Sequence, residues 1–245
     1  MPPNSAPPLG VNGRPQNLLL AMLTSDDFRQ LRPLLKTVPL DPRQILHRQG
    51  ERLRHVYFPN GGVVSMATVL SDGSMVEAAT VGDEGFVGVE ALFSDEATSA
   101  CETIVQVPVP HDSAEMLSVE SFRRALATQP AFQRVVARYT QVLYAVMARL
   151  NACNARHQVQ ERCARWLLMT HDRMHHKDFH LSHEFLAVMM GVRRPTVSVV
   201  AETLQASGFI RYSQGTIEVL DRHGLEGASC ECYAAIRTLF DSLGG

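Results

Sequence analysis

The sequence predicts an α+β fold in which an N-terminal antiparallel β-barrel is followed by a long helix and a C-terminal winged helix–turn–helix. Three observations predict it. Short β-rich runs alternate with turn residues over residues 38–109. Apolar residues repeat at heptad spacing over residues 131–157. Two short amphipathic segments meet at Gly191, and two alternating strands follow them.

Residues 1–16 are rich in proline and small polar residues, so we expect a disordered tail there. The chain shows no secretory signal and no apolar run of membrane-spanning length. The five cysteines do not form a disulfide framework, which favours a reducing, cytoplasmic location. No P-loop, nucleophile elbow or zinc-protease helix is present, so we do not expect an enzyme.

Charge is distributed unevenly, although the formal net charge of the whole chain is only −2. Residues 55–122 contain eleven acidic residues and no lysine or arginine. Residues 156–224 contain nine basic and seven acidic residues together with seven histidines. The sequence therefore joins an acidic unit to a mildly basic one.

The β-rich residues form the predicted barrel, which we place in a domain over residues 17–130. Turn signals such as Asn60-Gly61 and Asp72-Gly73 separate the strands. Their short spacing is typical of a small antiparallel barrel. A short capped helix is predicted from Ser118 to Leu126 at the end of this domain.

The heptad residues over 131–157 predict a dimerisation helix. Their spacing alternates between four and three, which is the pattern of a helix that packs against a twin. Further apolar residues such as Val135 and Val142 give the helix a second face that can pack on the barrel. The alternative to a dimer interface is a helix that packs only on its own domain. The predicted dimer-interface residues are Phe132, Val136, Tyr139, Leu143, Val146, Leu150 and Cys153.

Residues 183–202 have the spacing of a helix–turn–helix. Gly191 suits the turn, where a positive φ is least costly without a Cβ, and Pro195 suits the first turn of the second helix. Side chains at the start of that helix can bond phosphates or base edges in a major groove. Two packed helices without a DNA role are the alternative. The residues predicted to contact DNA are Ser182, Arg193, Arg194, Pro195, Thr196, Ser198 and Arg211.

Two short strands follow the second helix, with Gln214-Gly215 as the turn between them. A helix–turn–helix followed by such a hairpin is a winged helix. An amphipathic helix over 158–172 precedes it, so the DNA-binding domain is predicted to cover residues 158–224. Residues 225–245 are left as a C-terminal extension.

This order of elements resembles the Crp/Fnr-type bacterial transcription regulators. The segments that carry the resemblance are Gly50-Glu51-Arg52, GDEGFVG at 82–88, and residues 181–210 in the winged helix. The resemblance implies a cyclic-nucleotide-binding fold for the barrel, which is a double-stranded β-helix, or jelly-roll. It also implies that residues 17–130 form a sensor or effector domain. It further implies a homodimer whose recognition helices, at residues 194–205, read a two-fold-symmetric site on double-stranded DNA. RNA polymerase is a further candidate partner, and no membrane partner is expected.

The barrel departs from the nucleotide-binding members of that family. Those members carry a Gly-Glu pair after the Gly-Asp-x-x-Gly turn, and further on an Arg-Ser pair whose arginine neutralises the cyclic phosphate. Here Val89 follows Gly88, and Thr98-Ser99 stands in place of Arg-Ser. We therefore expect no cofactor and no bound cyclic nucleotide, with a cyclic-nucleotide-responsive regulator as the alternative. The candidate effector pocket is Gly82, Gly85, Phe86, Gly88, Glu90, Thr98 and Ser99.

The recognition helix also departs from the best-known members, which carry an Arg-Glu-Thr-Val-x-Arg run. This chain has RPTVSV from Arg194 to Val199. We predict that Arg194 contacts the O6 and N7 of a guanine, and that Thr196 contacts a phosphate or a thymine methyl. Arg193 and Ser198 are predicted to contact phosphates or flanking bases. Because the glutamate is missing, the half-site should differ from that of those members.

Histidines and cysteines leave a metal-, haem- or thiol-dependent sensor as a second alternative. His171 and His175 are four residues apart, but solvated histidines in a polar loop are the favoured interpretation. Cys230 and Cys232 would face different sides of a helix, so a shared metal is not expected. The family's iron–sulfur members use N-terminal cysteines, whereas the first cysteine here is Cys101. No metal ligand is therefore predicted.

Overall fold

The computed structural model describes residues 15–107, 113–174 and 177–244. Residues 1–14 of the predicted tail lie outside these ranges. So do His175 and His176 of the histidine cluster. Within the described ranges, no helix combines the length and the apolar character that crossing a lipid bilayer requires.

The N-terminal part consists of two antiparallel sheets that share one hydrophobic core. One sheet has the strand order β2-β6-β4-β5 and the other β1-β7-β3, and they do not close into a complete barrel. The α+β fold with an antiparallel, jelly-roll-like domain is confirmed. The strands are β1 (Lys36–Pro39), β2 (Ile45–His47), β3 (His55–Pro59), β4 (Val63–Val69), β5 (Met75–Val81), β6 (Glu102–Val107) and β7 (Ser113–Ser118).

Helices flank these sheets and connect them to the C-terminal part. Ser118 caps α3 as predicted, because its side chain accepts a hydrogen bond from the Ser121 backbone N–H. Pro130 begins α4, where its missing N–H costs nothing. The helices up to this junction are α1 (Leu18–Ala21), α2 (Ser25–Leu31), α3 (Val119–Thr128), α4 (Pro130–Arg156) and α5 (Val159–Met174).

The C-terminal part is a winged helix followed by two further helices. Its hairpin lies where the sequence predicts it, and a third strand that the sequence did not reveal joins it to give the order β8-β10-β9. Residues 225–245, predicted only as an extension, contain most of a helical pair. These elements are β8 (Asp178–His180), α6 (His183–Met190), α7 (Arg194–Ala206), β9 (Ile210–Ser213), β10 (Thr216–Val219), α8 (Arg222–Ala228) and α9 (Cys232–Asp241).

The heptad face of α4 is buried inside its own chain, so its assignment to the dimer interface is wrong. Phe132 and Tyr139 are fully buried and contact the aromatic core of the β-domain, with 5.2 Å between the ring centroids of Tyr139 and Phe86. The physical reason is that heptad spacing defines a continuous apolar face without specifying what covers it. The corrected residues, each no more than 5% exposed, are Phe132, Val136, Tyr139, Leu143, Val146, Leu150 and Cys153.

The opposite face of α4 is exposed and carries small side chains and one aromatic ring. We call this face the α4 stripe. Its central ring, Tyr144, is 76% exposed. The residues of the α4 stripe are Ala137, Gln141, Tyr144, Ala148 and Ala155.

Buried polar contacts join α5 to the β-domain. The Trp166 indole N–H donates to Glu77 Oε1 over 2.9 Å, and the Ser65 hydroxyl donates to Glu77 Oε2 over 2.6 Å. Arg173 forms an ion pair with Glu84 at 2.7 Å, and both side chains are largely buried. Breaking such a pair leaves an uncompensated charge, so these contacts hold the two parts in one arrangement.

Stability should depend on the protonation of Glu77. Burial raises the pKa of Glu77 to about 7, above its ordinary value of 4.5. The folded protein then retains a proton that the unfolded chain releases. The contribution of Glu77 to the free energy of unfolding is therefore fully present below about pH 4.5. It is lost as the pH rises towards about 7, and the loss amounts to up to about 3 kcal/mol. Urea unfolding at pH 5 and pH 8 measures the loss.

The Glu77→Gln variant removes this titration, so its free energy of unfolding should fall less than that of the wild type between these two pH values. Glu120→Gln is the matched control, because Glu120 is exposed and should leave the wild-type dependence unchanged. Parallel wild-type and Glu77→Gln curves would contradict the assignment.

Candidate nucleic-acid interface

The helix–turn–helix is formed by α6 and α7, and local chemistry sets its ends. The Ser182 side chain caps α6 by accepting from the Phe185 N–H over 3.2 Å. Gly191 ends α6 with φ 63°, in the left-handed region that favours a residue without a Cβ. Pro195 lies in the first turn of α7. The predicted helix–turn–helix is therefore confirmed in its fold.

The N-terminal end of α7 points its polar side chains into solvent. Arg193, Arg194, Pro195 and Thr196 are all exposed, and the Arg194 side chain is 66% exposed. Among the described residues its acidic partner is Glu184, at 3.8 Å from the guanidinium, which is a weak pair at such exposure. Both guanidinium groups are thus free to contact an anion from outside the chain.

Ser198 occupies a more enclosed position on α7 than the other predicted contacts. Its hydroxyl lies 3.1 Å from His183 Nδ1, and the His183 ring stacks on Tyr212 with 4.1 Å between the ring centroids. Burial first, and the charge of Arg194 second, lower the pKa of His183, so this ring is neutral at pH 7. Sequence patterns carry no signal for this group of three side chains, because His183, Ser198 and Tyr212 come from three separate elements.

Arg211 lies on β9 and is already paired. Its guanidinium is 2.5 Å from Glu218 Oε2, on the directly opposite position of β10. Its charge is therefore partly neutralised within the wing. Arg211 is a weaker candidate for a phosphate contact than the two arginines at the start of α7.

Three of the residues predicted for the effector pocket pack against other side chains of the chain. Gly82 and Gly85 face the helices, since a Cβ at Gly82 would overlap Arg173 and one at Gly85 would overlap Tyr139. Phe86 is fully buried in the aromatic core, so its assignment to a pocket is wrong. The turn at 82–86 is a packing element against α4 and α5.

The remaining pocket residues are engaged in local contacts. Gly88, with φ 95°, begins the short 3₁₀ turn that contains Glu90. Glu90 Oε1 accepts from the Ala100 N–H over 2.8 Å, and the buried Ser99 hydroxyl donates to the Cys101 carbonyl over 2.6 Å. Thr98 forms an isolated antiparallel bridge with Arg52.

Arginines from outside residues 55–122 approach this acidic segment in the fold. Arg52 lies beside Glu96, and Arg123 donates to the carbonyls of Ala91 and Leu92. Together with Arg54, and with the acidic residues Asp95 and Glu120, they line an open groove of about 640 Å³. The absence of lysine and arginine from residues 55–122 therefore does not mean the absence of cationic groups around that segment.

Four potential metal-ligating side chains converge at the C-terminal end of α4: Cys153, His157, Cys230 and Cys232. The reason for discounting Cys230 and Cys232 as a pair was wrong, because Cys230 precedes α9 and only Cys232 lies on it. Of the histidines, His171 contacts Arg222, and His180 lies near Thr216.

Comparison with protein families gives two matches in the same order as the observed parts. Residues 37–110 match the cyclic nucleotide-binding domain, and residues 161–228 match the Crp-like helix-turn-helix domain. These matches cover the β-domain and the winged helix.

Similar proteins carry both parts. The transcriptional regulator SdrP of Thermus thermophilus is 29% identical in an alignment of 181 residues that covers 67% of this chain and 79% of that relative. The structure of FixK2 from Bradyrhizobium japonicum superposes with a TM-score of 0.65 at 18% identity and covers 80% of this chain and 98% of its own. A Crp/Fnr-family regulator from Thermus thermophilus gives 0.64 at 22% identity, with 79% and 98% covered. The two structural matches bear on the fold alone.

Proposed function

Because this chain belongs to the Crp/Fnr-type transcription regulators and has their helix–turn–helix DNA-binding domain, we propose that two copies read a two-fold-symmetric DNA site through paired α7 helices. The observation that carries the proposal is the exposed N-terminal end of α7 with two guanidinium groups free of strong internal partners. A helix presented in this way fits the major groove of B-form DNA.

The residues at this end divide into base-reading and backbone-binding roles. Arg194 reads guanine by two parallel hydrogen bonds to O6 and N7. Arg193, in the extended conformation just before the helix, and Thr196 bind phosphates beside it. Ser198 positions the helix against His183 and contributes less to affinity. Ser182 caps α6, and Arg211 shares its charge with Glu218.

The α4 stripe is the proposed dimer contact, in place of the buried heptad face. Its residues recur at spacings of four, three and four from Ala137 to Ala148, which is the seam spacing of paired helices. Alanines allow two helices to approach closely, and Tyr144 supplies the largest apolar area. The dimer must place the two α7 helices about 34 Å apart, one turn of duplex.

We propose that the β-domain acts without cyclic nucleotide. Two side chains of the predicted effector pocket are satisfied within the chain: Glu90 accepts from the Ala100 N–H, and the Ser99 hydroxyl donates to the Cys101 carbonyl. The arginine-lined groove at Arg52, Arg54 and Arg123 favours a different anionic effector as the second candidate. Calorimetric titrations with cyclic AMP and cyclic GMP test the first proposal, which expects no binding of either nucleotide.

Replacing Arg194 by alanine should weaken binding to the specific site by about 1–3 kcal/mol and relax the preference for guanine at one position of each half-site. The site is first recovered by selection from random duplexes, and affinity is then measured by fluorescence anisotropy at fixed salt. Arg124→Ala is the control, because Arg124 is an exposed arginine of α3 paired with Glu120. Unchanged affinity and sequence preference in Arg194→Ala would refute the role.

Replacing Ala148 by glutamate should weaken self-association by at least about tenfold, because the dimer would bury two like charges at the α4 stripe. Sedimentation equilibrium measures the dissociation constant. Asn154→Glu introduces the same charge on an exposed flank of the same helix and should leave dimerisation unchanged. If both variants dimerise as the wild type does, the α4 stripe is not the interface.

A further inference from the structure

We propose that Cys153, His157, Cys230 and Cys232 bind one Zn²⁺ ion. One ligand atom from each side chain lies within 4.8 Å of the other three. The three cysteines are buried and form a small cluster separate from the main hydrophobic core. Three thiols and an imidazole form one of the donor sets that structural zinc sites use.

The distances between the donor atoms fit a single tetrahedral ion. A Zn–S bond of about 2.3 Å sets the edge of the coordination tetrahedron at about 3.8 Å. The Cys153 and Cys230 sulfurs are 3.5 Å apart, and the Cys232 sulfur is 3.7 Å from His157 Nδ1. These separations already correspond to edges of such a tetrahedron. One ion at the centre therefore requires only small side-chain adjustments.

The backbone explains why four residues distant in sequence converge. Cys153 lies in the last turn of α4, and His157 is the next residue on the same face, where the helix ends. Cys230 lies in the extended segment after α8, and Cys232 begins α9. Because only one of this pair is helical, the Cys-x-Cys sequence can direct both sulfurs to one point.

Two neighbouring groups have the arrangement found around metal-bound histidine and thiolate. His157 Nε2 lies 3.1 Å from Glu231 Oε2, and a ligating histidine commonly donates its second N–H to a carboxylate. The buried guanidinium of Arg162 donates to the Met190 carbonyl and pairs with no carboxylate of the described chain. It lies close enough to Cys153 and Cys230 to interact electrostatically with both. Three thiolates and one dication leave a net negative charge, which Arg162 offsets.

The donor set selects the class of cation. Thiolate and imidazole favour a borderline-soft ion such as zinc over calcium or magnesium, which prefer oxygen. All four positions of the tetrahedron are filled by the protein, so no position is left for substrate water. The site is therefore structural or regulatory rather than catalytic.

The ion would join three segments at the base of the DNA-binding domain. His157 ends α4 immediately before α5 begins at Val159, so a bond to it fixes the junction between the two helices. Cys230 and Cys232 attach the α8–α9 connection to the same point. Loss of the ion should loosen α9 and this junction first, while the β-domain remains folded.

Metal analysis of the full-length protein, purified under reducing conditions without an affinity tag that binds metal, tests the site. The wild type should contain about one zinc per chain. Cys230→Ser, Cys232→Ser and His157→Ala should each reduce this at least tenfold. Cys101→Ser is the matched control, because Cys101 is a buried cysteine of the β-domain outside the cluster, and it should retain the full amount.

A second measurement needs no substitution. Chelator-stripped wild-type protein, titrated with Co²⁺, should saturate at about one equivalent and develop the visible bands of tetrahedral cobalt with a thiolate charge-transfer band. Hydrogen exchange in α9 should slow when Zn²⁺ is added. Absence of both zinc and cobalt uptake by the reduced protein overturns the proposal, as does uptake that persists in Cys230→Ser and Cys232→Ser. A Cys153–Cys230 disulfide that mass spectrometry finds under the same reducing conditions also overturns it.

Discussion

The contact between α4 and the aromatic core of the β-domain is the interaction on which the rest of the structure depends. Phe132 and Tyr139 extend a cluster of rings that includes Phe58, Phe86 and Phe122. Aromatic pairs add specific geometry to the large apolar area that they bury. Since this contact fixes the rotation of α4 about its axis, it decides which face is covered and which is left open. The α4 stripe is exposed because the heptad face is used here.

The same rotation determines how the DNA-binding domain is held. The chain turns directly from α4 into α5, and α5 returns to the β-domain through Trp166 and Arg173. Both contacts bury polar groups whose partners, Glu77 and Glu84, come from the other unit. Buried ion pairs and hydrogen bonds add little net stability, but a misplaced partner is costly. They therefore select one arrangement of the two units over its alternatives.

Much of the fold could be predicted from the sequence because its signals are local. Gly191 and Pro195 define the helix–turn–helix through backbone geometry, and the hairpin follows from the Gln214-Gly215 turn. The heptad spacing showed which face of α4 is apolar, but it did not show what covers that face. Except for Phe122, the rings that cover it lie about fifty residues or more before Tyr139 in the sequence. Periodicity identifies an apolar surface and leaves open what packs on it.

The site was predictable only where its chemistry lies on one element. The exposure of the two arginines at the start of α7 was predictable, because they are consecutive in the sequence and lie on the solvent-facing side of the helix start. Two other features depend on the tertiary fold, which brings together residues that are distant in sequence. They are the stack of His183 on Tyr212 and the approach of Cys153 to Cys230. The error about Cys230 and Cys232 was to place both on one helix. Cys230 lies before α9, so its side chain does not follow the helical spacing that separates positions i and i+2. The spacing of two potential ligands in the sequence can support or exclude a metal site only when the secondary structure that carries them is known.

The two anchors of α5 constrain how a signal could act. One is its contact with Glu77 and Glu84 of the β-domain, and the other is the junction with α4 beside His157. Moving α7 relative to the α4 stripe requires at least one anchor to break, and an effector can supply only its difference in affinity between the two arrangements. A ligand in the open groove at Arg52 and Arg123 lies on residues that make neither anchor. Such a ligand could move α7 only by displacing the sheet that carries Glu77, whereas a change at the α4–α5 junction would act on the DNA-binding domain directly.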